Sequence, residues 1–169
     1  MKIIEAMKKI KANKEKIADL QNKIGLTCSN LSFETPVYGN DTSAKIKDWL
    51  QSCQDLSRDN VNLLCRIAKT NLAVNVTIEI GGKKVEKSIA EWVWRRREYA
   101  GIDKNTFSKL GDRGLREGII NSSTGPMESK IVRHFDPIVR DEMIAIYHAE
   151  PYMIDGALEV INAVTELLD

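Results

Sequence analysis

The chain has 169 residues, of which 43% are hydrophobic and 29% charged. That length fits one domain, and the composition allows a core and excludes full disorder. Twenty-five basic residues balance 24 acidic ones for a net charge of +1. Nucleic acid is therefore not the expected partner, because phosphate neutralisation needs a basic excess.

The first helix is expected over residues 2–24. Ile3, Met7, Ile10, Ile17 and Ile24 recur at steps of three, four or seven, a period near 3.5. That is the coiled-coil value. Lys14 and Gln21 fill the two remaining places of the stripe and weaken it. Gly25 is expected to end the helix. Residues 25–42 read as a loop, with Pro36, Gly39, Asn40 and Asp41 as turn formers. Leu31, Phe33, Val37 and Tyr38 in that loop are expected to pack back onto the helices, with contact to a partner as the alternative.

Residues 43–73 read as a second helix with Ser43 as N-cap. Its stripe runs through Ile46, Trp49 with Leu50, Cys53, Leu56, Asn60, Leu63 with Leu64, Ile67 and Asn71. A rod of roughly 45 Å follows from a rise of about 1.5 Å per residue, and it needs another long helix beside it. Asn60 and Asn71 are read as amides that fix helix register, with Asn71 also a candidate ligand contact.

The period then changes to two. Val76, Ile78 and Ile80 alternate with polar residues before Gly81-Gly82 and a second short run. This predicts a tight β-hairpin at about 76–86. A lone hairpin is marginal in water and must find a neighbour. Ser88 and Glu91 have capping-box spacing and open a third helix expected to reach about Ala100. Its apolar face is expected to hold Ile89, Trp92, Val93 and Tyr99. Arg95, Arg96 and Arg97 follow and are candidate anion ligands. Three successive helical residues fan out too widely to converge on one ligand, so solvated or ion-paired arginines are the alternative.

Residues 101–136 are rich in glycine and irregular. Within them, short strands at 118–121 and 130–135 around a polar loop suggest a second hairpin at about 118–135. Asp136 and Pro137 are expected to cap and start the last helix. Its stripe is Val139, Met143, Ile146, Glu150, Met153, Ala157, Val160, Val164 and Leu167, and it passes Pro151 without losing register. That predicts one helix, kinked at Pro151, with a break at Ala149 as the alternative. Glu150 stands on the apolar stripe and is expected to pair with an arginine such as Arg96 across an interface.

No catalytic spacing is found. His134 and His148 form no ligand pair, so no metal or cofactor is expected. Cys28, Cys53 and Cys65 have no metal or redox spacing and suggest a reducing, cytoplasmic setting. No stretch is apolar enough for a membrane span.

The Thr70-Asn71 pair, Gly81-Gly82, and Ser88 to Glu91 followed by Arg95 to Arg97 resemble the septicolysin-like family of small helical bacterial and phage proteins. The resemblance is clear over about residues 60–100 and implies a similar order of helices and hairpin. The whole chain is thus expected to be mainly α, a single elongated domain over 1–169 built as a coiled-coil-like bundle of long antiparallel helices. The expected function is that of a non-enzymatic, self-associating structural protein, a virion component if phage-encoded. The alternative is an oligomer that binds a small anionic, nucleotide-like ligand through Arg95, Arg96, Arg97 and Asn71.

Overall fold

A computed structural model describes residues 1–169. The protein is mainly helical with two antiparallel two-stranded hairpins. Its elements are α1 (Ile3–Thr27), a 3-10 turn (Gly39–Asp41), α2 (Thr42–Ala73), β1 (Asn75–Ile80) and β2 (Lys83–Ser88). After these come α3 (Ile89–Trp94), a π-helical turn (Arg95–Tyr99), α4 (Ala100–Phe107), β3 (Gly118–Ser122), β4 (Gly125–Ser129) and α5 (Pro137–Val164). Where the sequence suggests one domain, the residues group into two compact units: Met1–Val74 with Glu159–Asp169, and Asn75–Leu158.

In the first unit α1 and α2 run antiparallel, so that Asn13 meets Asn60 and Thr27 shares a pocket wall with Ile46. The inward row of α1 is Ile3, Ala6, Ile10, Asn13, Ile17, Leu20, Ile24 and Thr27, all buried or half-buried. Steps of three and four alternate throughout, which is the heptad pattern. The expected row is therefore corrected at alternate positions. Met7, Lys14 and Gln21 are exposed, and Ala6, Asn13 and Leu20 take their places. The two rows share Ile3, Ile10, Ile17 and Ile24, and only the position of α2 decides between them. α1 also runs through Gly25, and the Thr27 hydroxyl donates to the Lys23 carbonyl (2.8 Å) in its last turn.

The inward row of α2 follows the expected stripe from Ile46 to Ile67, except that Leu50 and Leu64 are exposed, then turns to Thr70, which is fully buried. The Thr70 hydroxyl donates to the Arg66 carbonyl and accepts from the Leu168 amide at 3.0 Å. Ser43 is not the N-cap. The 3-10 turn leads straight into the helix, and the Thr42 hydroxyl donates to the Gly39 carbonyl. In the loop, only Tyr38 packs back with its ring, edge-on to Trp49 at 5.5 Å. Leu31, Phe33 and Val37 are exposed, Phe33 by 82%. The loop instead bonds to itself, with the Leu31 amide donating to the Glu34 carboxylate at 2.8 Å.

In the second unit, β1 and β2 pair as expected, from Asn75 with Ser88 to Ile80 with Lys83. Gly81 and Gly82 both have positive φ (57° and 75°), the geometry of a primed turn that matches strand twist. The hairpin finds its neighbours in its own chain. Ile78 is buried, and the buried Trp92 indole donates to the Val76 carbonyl at 3.0 Å. The Ser88 hydroxyl accepts from the Glu91 amide while the Ser88 amide donates to the Glu91 carboxylate, completing the capping box.

The second hairpin forms within the expected 118–135, with β3 where the first strand is expected, but its second strand comes earlier. β4 occupies 125–129, inside the expected loop, and the turn is only Ser123 and Thr124. Asp136 does cap α5, its carboxylate accepting from the Ile138 amide at 2.8 Å. α5 is unbroken through Pro151. Its buried positions are Glu150, Ile154 and Leu158, whereas Val139, Met153, Val160 and Val164 of the expected stripe are exposed. The buried positions step by four, so the row drifts around the helix away from the expected stripe. No helix is long and apolar enough to cross a membrane.

Candidate functional site

The polar centre of the second unit is built on the junction of α3 and α4. Trp92 and Ala100 are both buried, although eight residues apart. Two ordinary α-turns span only about seven residues. The π-helical turn Arg95–Tyr99 takes up the extra residue and keeps both side chains on one side. This moves Tyr99 out to solvent, so Ala100 replaces it on the expected apolar face.

The same turn aims Arg95 at two carboxylates. Its Nε and Nη2 donate to the two oxygens of Glu150 at 2.7 and 2.6 Å. Its Nη1 donates to Asp103 Oδ2 at 2.6 Å. Glu150 is only 3% exposed. A carboxylate so buried needs a partner, and a forked guanidinium satisfies both oxygens at once. Hydrogen bonding to Glu150, more than the bond to Asp103, holds Arg95 above its ordinary pKa. The Tyr147 ring lies 5.7 Å from the guanidinium carbon. Burial, with Asp103 nearby, pushes the Tyr147 phenol up.

The expected partner of Glu150 is thus corrected from Arg96 to Arg95, and the pair lies within one chain. Arg96 pairs with Asp155 instead. Arg97 is exposed and takes no part in these ion pairs. The three arginines therefore do not converge. Asn71 belongs to the first unit, where it is half-buried with its Oδ1 buried and unpartnered. Asn60 accepts a bond from the Asn13 amide at 2.9 Å, and Asn13 also donates to Asp59 at 3.1 Å. Asn13 has no periodic mark of its own in the sequence, because the apolar Met7 draws the row to the adjacent positions.

Beside Arg95 is an open pocket of about 430 Å³ walled by Lys87, Glu91, Trp94, Arg95 and Tyr99. Its charged groups are already engaged in part: Glu91 caps α3 and Arg95 holds two carboxylates. No group of three or more histidine, cysteine or acidic side chains is placed to hold a metal. All three cysteines are free thiols. No family model matches the chain, and no curated protein or solved structure matches it.

Proposed function

We propose that this protein is a non-enzymatic structural component that self-associates. The observation that carries this reading is the balance of apolar surface. Twelve hydrophobic residues form the buried core, whereas twenty-six large hydrophobic residues are exposed. Some share one side of a helix. Leu50, Val61, Leu64 and Leu72 are exposed on α2 and fall within about a quarter of the helix circumference, at about 100° per residue. Large apolar side chains gathered on one exposed side of a helix support a protein–protein contact.

The alternative, binding of a small anion by the arginines, draws less support because Arg95 and Arg96 both face carboxylates. Resemblance of residues 60–100 to septicolysin-like bacterial and phage proteins is the ground for proposing a virion as the setting. Sedimentation equilibrium over a wide concentration range tests the reading. The expected result is a mass above that of one chain, reduced by Val61→Glu with Leu64→Glu. A single-chain mass at every concentration overturns it.

A further inference from the structure

The β3–β4 hairpin is the least supported element of the protein. None of its ten residues is buried, and Ile119, Ile120 and Met127 are 76%, 56% and 58% exposed. Isolated two-stranded hairpins are marginal in water, and further strands or a packed face are what stabilise them. The first hairpin has Trp92 and α5 against it; this one leaves its apolar side chains in solvent.

The two outer edges differ. The pair next to the two-residue turn, Ser122 with Gly125, is the hydrogen-bonded kind, and the kinds alternate along an antiparallel ladder. Ile119 and Asn121 on β3 therefore direct their peptide groups outward, as do Pro126 and Glu128 on β4. Proline has no N–H, so the outer edge of β4 offers one donor, that of Glu128. The outer edge of β3 offers two. Neither Ile119 nor Asn121 donates a backbone hydrogen bond outside the hairpin.

We propose that a second copy of the chain adds to the outer edge of β3, antiparallel about a two-fold axis at Ile120, giving the sheet order β4-β3-β3-β4. This rests on the self-association reading and adds a second contact surface to the apolar side of α2. The edge is self-complementary in that register. Ile119 of each copy falls opposite Asn121 of the other, so the outward donors and acceptors meet in two reciprocal pairs. Ile120 of each copy then falls beside the other, on the face that also carries Met127. The exposed apolar residues become a continuous row across four strands: Met127, Ile120, Ile120 and Met127. No charged side chain lies on β3, so the two-fold brings no like charges together. Symmetric pairing of one patch with itself is the usual form of a two-fold interface.

Sedimentation of the full chain tests this. Asn121→Pro removes an outward N–H and spares the ladder to β4; it is expected to weaken association about tenfold. Glu128→Pro, on the other edge, is expected to leave association unchanged. In a background of Cys28→Ser, Cys53→Ala and Cys65→Ser, Ile120→Cys is expected to form a covalent dimer on mild oxidation. The two sulfurs would join at directly opposed, non-hydrogen-bonded positions about 4.5 Å apart between Cα atoms, within disulfide reach. A wild-type chain that stays single overturns the self-association reading and this inference with it. A wild-type chain that associates, with Asn121→Pro undiminished and Ile120→Cys uncrosslinked, overturns the β3 edge alone.

Discussion

Arg95 grips Glu150 through two parallel hydrogen bonds of 2.7 and 2.6 Å, and Glu150 is almost wholly removed from water. The pair ties the π-helical turn to the middle of α5, one residue before Pro151. Proline there leaves the Tyr147 carbonyl without its usual helical donor. The ion pair thus braces the helix where its own ladder is interrupted.

Removing one partner strands the other. Arg95→Met is expected to cost about 3–5 kcal/mol, because an uncompensated carboxylate stays buried. The double change Arg95→Met with Glu150→Leu is expected to recover most of that loss, since well-packed apolar residues replace buried pairs at little cost. Urea unfolding of the two single variants and the double variant measures both. Additive losses in the double variant would contradict the coupling.

The turn of the first hairpin offers a second comparison. Gly81 and Gly82 both have positive φ, but a Cβ on Gly81 would stand 3.0 Å from Ile146 Cδ1, whereas nothing lies within 4 Å of one on Gly82. Each alanine substitution should cost about 1–2 kcal/mol for the left-handed backbone. Gly81→Ala should cost more than Gly82→Ala, because Ile146 must shift as well. Equal midpoints in thermal unfolding would show that the hairpin tip does not rest on α5.

Acid should loosen the junction of β2 and α3. The amide and hydroxyl of Ser88 hold the Glu91 carboxyl below its ordinary pKa, so the folded state favours the ionised form. A depressed folded value contributes stability that is complete above the unfolded pKa of about 4.3 and is lost as pH falls through the lower folded value. Glu91→Gln should therefore destabilise the protein at pH 7 and make little difference at the acid end of that window. Thermal melts of both proteins across pH 2.5–7 (roughly the span of the carboxylate titration) check this. A constant gap between the two curves would refute it.

The features legible in the sequence are those fixed by neighbouring residues. Gly81-Gly82 determines a primed turn because only residues that accept positive φ fit it. Ser88 with Glu91, and Asp136 before Pro137, determine helix starts because each cap bonds to amides two or three residues on. The period near 3.5 determines that α1 and α2 are long and lie side by side. In contrast, the tertiary structure alone chose Ala6, Asn13 and Leu20 over Met7, Lys14 and Gln21, because both rows share the same isoleucines and differ only in which side meets α2. It also chose Arg95 over Arg96 for Glu150. The π-helical turn that begins at Arg95 leaves no periodic mark in five residues, yet it decides that Ala100 and not Tyr99 shares a side with Trp92. Local chemistry specified where helices and turns begin; which face of each helix is buried was settled only when the helices met.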